Sequence, residues 1–176
     1  ITAAAFAYAV MSFLMTATPL SMHVMENMSL KETGLVLQFH VVAMFLPSLI
    51  TGNLIKKYGH SAIIYGGVLF FFITVLLSLF EQTYLNYMLS LIFLGLGWNF
   101  LFISGTSLVV LTYNKEEKFK VQGINDLIVF STMALASLSA GILLNSIGWK
   151  MMNIICIPFL ILIILVSFVA DKKSAS

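Results

Sequence analysis

The chain has 176 residues, of which 60% are hydrophobic and only 9% charged, a ratio that leaves too little polar surface for a water-soluble domain and makes lipid the solvent for most of the chain. A net charge of +2, carried by lysines scattered among short loops, excludes a nucleic-acid-binding surface, and a single cysteine, Cys156, excludes an internal disulfide or a cysteine-built metal site.

Apolar runs of about 20 residues recur, and each is long enough to cross a hydrocarbon layer of roughly 30 Å at about 1.5 Å per residue. Six spans are predicted, at 1–22, 33–55, 61–81, 84–112, 121–145 and 151–170. Stretches such as Val68-Leu69-Phe70-Phe71-Phe72-Ile73 are apolar on both faces and show no period-2 alternation, so helices rather than barrel strands are expected. The predicted class is therefore all-α, a polytopic six-helix bundle. The chain opens at Ile1 inside an apolar run with no basic stretch before it, which reads as a longer protein truncated at its N-terminus rather than as a signal peptide.

In the first span Thr16 and Thr18 precede Pro19, which removes a backbone hydrogen bond and frees a carbonyl, so a kink with nearby hydroxyls is expected there. His23 falls at the outer interface. The second span carries Gln38 and His40 near its start. Residues two apart point to different faces of a helix, so at most one of this pair can aim into a cavity. His40 could exchange a proton near neutral pH, which would suit proton coupling, or it could be a hydrogen-bonded packing residue. Pro47 further along is a hinge candidate, as is Pro158 in the sixth span.

The fourth span places Asn99 beside Trp98, with Gly95 and Gly97 just before them. Small residues let a neighbouring backbone approach, so an amide and an indole there could line a substrate pathway or simply bond and pack between helices. In the fifth span Gln122, Asn125 and Asp126 share one face by their i, i+3, i+4 spacing, and Asp126 is read as the one carboxylate inside a span, held by the positive end of the helix dipole. Ala136, Ala140, Ser137 and Gly141 then form pairs four apart suited to close helix packing. Tyr58, Tyr84, Tyr87, Tyr113 and Trp149 stand near span ends, where they fit interfacial belts or ordinary packing.

All nine basic residues are lysines. Lys56 and Lys57, then Lys115, Lys118 and Lys120, then Lys172 and Lys173 collect on one side of the six-span arrangement, against Lys31 and Lys150 on the other. The positive-inside rule puts that richer side, with both chain ends, in the cytoplasm.

Two stretches carry a family resemblance. Gly52-Asn53-Leu54-Ile55-Lys56-Lys57-Tyr58-Gly59-His60 is similar to the Gly-x-Leu-x-Asp-Arg-x-Gly-Arg loop of the major facilitator superfamily, with Lys56 where the aspartate usually stands. That departure matches the degenerate copy between the eighth and ninth helices. Val121-Gln122-Gly123-Ile124-Asn125-Asp126, with Gly148-Trp149 closing its span, resembles the eleventh helix of bacterial permeases of the same superfamily. Thr18-Pro19-Leu20 with Met22-His23, and Gln38-Phe39-His40 with Met44-Phe45 and Pro47-Ser48, look like parts of the seventh and eighth. The resemblance implies the C-terminal six-helix half of a twelve-helix secondary transporter in a bacterial inner membrane. Its partners would be an N-terminal half of the same polypeptide, a small organic or drug-like solute and the bilayer, and it would work by alternating access. Gly52 and Gly59 would then allow a close helix approach and a tight turn, Lys56 and Lys57 would hold the loop at the anionic cytoplasmic surface, and Asp126 would meet the basic loop of the other half.

No cofactor, metal or catalytic residue is expected. Phe102-Ile103-Ser104-Gly105 superficially matches an intramembrane serine protease motif, but the first glycine is missing and no histidine in the sixth span could act as base. A non-transporting membrane scaffold or assembly subunit is the alternative, and polar side chains at lipid depth count against it.

Overall fold

A computed structural model describes residues 1–174, with Lys173 and Ser174 described by backbone alone; the end of the predicted 1–176 unit, Ala175 and Ser176, lies outside the described residues. The described chain is helical with no strand: α1 (Thr2–Pro19) running into a π-helical turn (Leu20–Met25), α2 (Leu30–Phe45), α3 (Ser48–Tyr58), α4 (His60–Ser78), α5 (Tyr84–Val110), α6 (Lys118–Ile155) and α7 (Ile157–Ser174). The all-α, polytopic membrane class predicted above is the class observed.

Local chemistry explains where these helices start and bend. Ser29 caps α2 by accepting from the Glu32 N–H at 3.2 Å, while the Glu32 carboxylate accepts the Ser29 N–H at 2.9 Å, a reciprocal capping box. Thr83 caps α5 by accepting from the Asn86 N–H. Each proline stands at or beside an interruption of regular α-helix. Pro19 ends α1 where the π-turn begins, Pro47 separates α2 from α3 at a 41° bend, and Pro158 sits in the first turn of α7, just after the break at Cys156.

Thr2–Met25, His60–Ser78 and Tyr84–Val110 are each long and apolar enough to cross a membrane, and the bent α2–α3 pair reaches that length and apolarity when its two helices are taken together. The stretch Lys118–Lys172 is 55 residues long, about twice what a bilayer needs. Gly148, at φ 74° and ψ 170°, interrupts it with a backbone conformation that favours glycine.

Helix α5 is central and packs against α4, α2 and α1, while α1 packs along α6. Its glycines set the spacing. A side chain at Gly95 would sit 2.7 Å from the His40 carbonyl oxygen and 3.0 Å from the Met44 nitrogen, so α2 lies backbone to backbone against α5. At Gly97 a Cβ would fall 2.9 Å from the Gly67 carbonyl oxygen, and at Gly105 2.9 Å from the Ala4 nitrogen, giving the same close contact with α4 and α1.

Two sequence expectations are corrected and a third, left between two alternatives, is resolved. Gly52 has nothing within 4 Å of where its Cβ would lie, so it allows no close approach inside this bundle; its neighbour Gly59, at φ 84°, does make the α3–α4 turn. Tyr87 and Trp149 follow the packing alternative: both are buried, their rings 5.1 Å apart, and the Tyr87 hydroxyl bonds Ser21 at 2.6 Å. Asp126 is not the sole carboxylate on a spanning helix, because Asp171 in the last turns of α7 accepts hydrogen bonds from Ser61 and from Tyr65 of α4. Cys156 is buried, and its thiol donates back to the Met152 carbonyl one turn earlier.

Candidate functional site

Five aromatic rings from four helices converge. Trp98 and Phe102, one turn apart on α5, stack with centroids 4.9 Å apart and planes 9° from parallel. Tyr8 of α1 stands edge-on to both, at 5.3 Å from Trp98 and 5.4 Å from Phe102. Phe45, the last residue of α2, meets Trp98 at 5.8 Å, and Phe130 of α6 meets Tyr8 at 5.9 Å. Trp98 is buried, but Phe45 and Phe130 are 58% and 50% exposed, so the cluster is packed inside and open at its edge. Edge-to-face and offset geometries of this kind are the favoured arrangements of ring quadrupoles, and an open edge can accept another flat ring on the same terms. The Trp98 Nε1–H is buried with no hydrogen-bond partner, an unsatisfied donor in an otherwise apolar setting.

The sequence singled out Trp98 for this region but missed Tyr8, Phe45 and Phe130. Aromatic residues make up 13% of the chain, so no composition signal distinguishes these three; only the tertiary placement does.

Asn99, next to Trp98, turns the other way. Its Nδ2 donates to the Met44 carbonyl and to Ser48 Oγ, both at 2.7 Å, and its Oδ1 accepts from Thr51 Oγ1 at 2.6 Å. These three partners straddle Pro47. The Met44 carbonyl is the one a straight helix would pair with the Ser48 N–H, so Asn99 satisfies a group that the proline bend disturbs. The geometry makes Asn99 a brace of the broken α2–α3 helix.

Gln38 and His40 do face different ways. His40 is fully buried, and its Nδ1–H donates to the Leu91 carbonyl at 2.7 Å; a carbonyl can only accept, which fixes the tautomer and leaves Nε2 as a buried acceptor without a partner. Gln38 is exposed. On α1, Thr18 is buried and bonds back to the Leu14 carbonyl at 2.8 Å, whereas Thr16 is exposed and shares a 2.9 Å hydrogen bond with Ser137 of α6.

Gln122, Asn125 and Asp126 line a cleft of about 400 Å³ together with Thr106 and Ser107 of α5. Gln122 donates to the Tyr113 hydroxyl at 2.6 Å, and Asn125 donates to the exposed Asp126 carboxylate at 3.1 Å. Helix α6 begins at Lys118, so Asp126 lies two turns inside rather than in the first turn, beyond the reach of the helix dipole invoked for it. Lys56 and Lys57 are exposed in the last turn of α3, where cations suit the negative helix end. Among the described residues no group of His, Cys, Asp or Glu could hold a metal ion.

The model of the Major Facilitator Superfamily matches residues 1–176. The chain belongs to that superfamily. It is therefore an integral membrane protein of a transporter family rather than an enzyme. Among curated relatives, the riboflavin transporter RfnT of Brucella anthropi is 40% identical over 157 residues, covering 89% of this chain and 39% of the relative. Two MFS-type transporters of Bacillus subtilis, YdeG and YddS, are 31% and 30% identical over 148 residues, covering 83% and 82% of this chain and 34% of each relative. The chain thus spans between a third and two fifths of the length of these superfamily relatives.

Proposed function

We propose that this superfamily chain is the C-terminal six-helix half of a secondary transporter for an uncharged, planar heteroaromatic solute of the riboflavin kind. In this reading the bent α2–α3 pair is one crossing and Gly148 divides the 118–172 stretch into two, which makes six. The lysine-rich loops and both ends of the half face the cytoplasm of a bacterial inner membrane. An N-terminal half of the same polypeptide supplies the opposite wall of the site, and the halves rock against each other.

The ring cluster of Tyr8, Phe45, Trp98, Phe102 and Phe130 carries the proposal, because it draws on four helices and keeps an open edge. The riboflavin transporter at 40% identity supports the choice of solute. Among the described residues no lysine lies among these rings, since the basic residues stand in loops or at helix ends, so no described side chain of the cluster would compensate a phosphate.

Uptake by cells expressing the full-length protein tests this. Riboflavin is expected to accumulate and flavin mononucleotide, its phosphorylated form, is not; equal uptake of both, or of neither, would argue against the proposed site. The same assay addresses coupling. His40→Asn keeps a donor for the Leu91 carbonyl but cannot titrate, and the buried, helix-bonded position of His40 leads us to expect transport within about threefold of wild type with its response to a pH gradient intact. Loss of that response in His40→Asn would instead assign proton coupling to the histidine.

A further inference from the structure

The contacts around the ring cluster give the site a direction. Helices α1 and α6 run parallel, since Tyr8 meets Phe130 and, further along both, Thr16 bonds Ser137. Helix α2 runs parallel to α5: His40 bonds Leu91, and Phe45 meets Trp98. Helix α5 is antiparallel to α1, with Gly105 against Ala4, Trp98 against Tyr8, and Tyr87 bonded to Ser21 beyond α1. The His40–Leu91 level therefore lies on the same side of the rings as Thr16 and Ser137.

Three polar groups share that side. Ser137 follows Phe130 by seven residues and Gln38 precedes Phe45 by seven, two helical turns that return each to nearly the same face about 10 Å along its axis. Thr16 follows Tyr8 by eight residues, about 12 Å. Thr16 and Gln38 are exposed, and the Gln38 amide makes no hydrogen bond among the described residues. An amide in hydrocarbon with no partner costs several kcal/mol, so its position is reasonable only where it meets water, a ligand or another polar group. The Thr16–Ser137 pair shares a single hydrogen bond, which leaves one hydroxyl proton and further lone pairs free.

We infer that the site has two layers: the aromatic layer for a flat ring system, and a layer of Gln38, Thr16 and Ser137 about 10 Å away that binds a polyhydroxylated side chain carried on that ring. This rests on the proposed planar-solute reading and adds a requirement for the hydroxyl tail. The tail's hydroxyls both donate and accept, and so do an amide and two hydroxyls, with no charge to desolvate. Discrimination by such groups is steep, because a ligand lacking its hydroxyls leaves them unpaired.

The test compares two flavins on the purified full-length transporter by quenching of flavin fluorescence: riboflavin, with its polyol, and lumiflavin, which has a methyl group in place of the polyol. Wild type is expected to bind riboflavin more tightly. Gln38→Leu and Ser137→Ala should each weaken riboflavin roughly tenfold while leaving lumiflavin within about twofold, and Thr16→Ser, which keeps the hydroxyl, should change neither. Equal wild-type affinity for the two flavins, an equal loss for both in the variants, or no loss for either would overturn the polyol layer while leaving the ring layer standing. Wild-type protein that binds neither flavin would overturn the ring layer and this inference together.

Discussion

Asn99→Leu is expected to destabilise the full-length protein by about 2 kcal/mol, near three interhelical hydrogen bonds at the roughly 0.6 kcal/mol average for such bonds in membrane proteins. The Met44 carbonyl and Ser48 lose the amide that donates to them, Thr51 is left with the Pro47 carbonyl alone, and the Met44 carbonyl lies at a bend where the helix itself no longer pairs it. Asn99→Asp should be at least as damaging, because a carboxylate would face the Met44 carbonyl with no proton to donate. Thermal unfolding in detergent measures the effect, and transport should fall only in step with the folded fraction. A variant of wild-type stability that has lost transport would show that Asn99 meets the solute, as its place beside Trp98 in the sequence first suggested.

Gly95→Val should be more severe, with little folded protein recovered. Its Cβ would lie 2.7 Å from the His40 carbonyl oxygen, 2.9 Å from the Ala43 Cβ and 3.0 Å from the Met44 nitrogen. Two of these are backbone atoms of α2, so relief requires moving a whole helix rather than a rotamer. Overpacking typically costs about 1–3 kcal/mol where side chains can yield, and here the cost should exceed that range. Gly52→Ala is the contrasting case. Nothing in the bundle lies within 4 Å, and the residue is in regular helix, so a gain of about 0.5–1 kcal/mol from helix propensity is expected. Recovery of folded protein by size-exclusion chromatography compares the two, and a well-folded Gly95→Val would contradict the close α2–α5 crossing.

These two glycines show what the sequence could and could not disclose. Apolar run length gave the helical class, because lipid forces every backbone group to be satisfied internally. The prolines at 19, 47 and 158 each stand at or beside an interruption of regular α-helix, and at Pro47 that interruption is the expected bend, since a missing N–H acts on its own helix. Glycine spacing near Trp98 suggested a close contact, which proved to be with α2, α4 and α1 in turn along α5. At Gly52 the same residue type carried no such contact within this half.

The candidate site was less legible because its members come from different helices. Trp98 and Asn99 are adjacent in sequence, yet one joins the ring cluster and the other braces the Pro47 bend, and the 100° between successive residues decides which. Tyr8 and Phe130 carried no local mark, and Phe45 carried only its place in the stretch before Pro47 that resembles the family's eighth helix. Gln38 and His40 were separated correctly by helical geometry alone, but which one faces outward depended on where α5 packs. Asp171 was overlooked because it stands among lysines at the end of the last helix, where a solvated carboxylate is the ordinary expectation.

Titration of riboflavin into the purified full-length protein, with Trp98→Ala beside wild type, tests the central claim most directly. Saturable quenching of flavin fluorescence is expected for wild type, weakened at least tenfold in Trp98→Ala, because the ring that stacks on Phe102 and meets both Tyr8 and Phe45 is removed. Riboflavin binding of wild-type strength in a folded Trp98→Ala protein would contradict it.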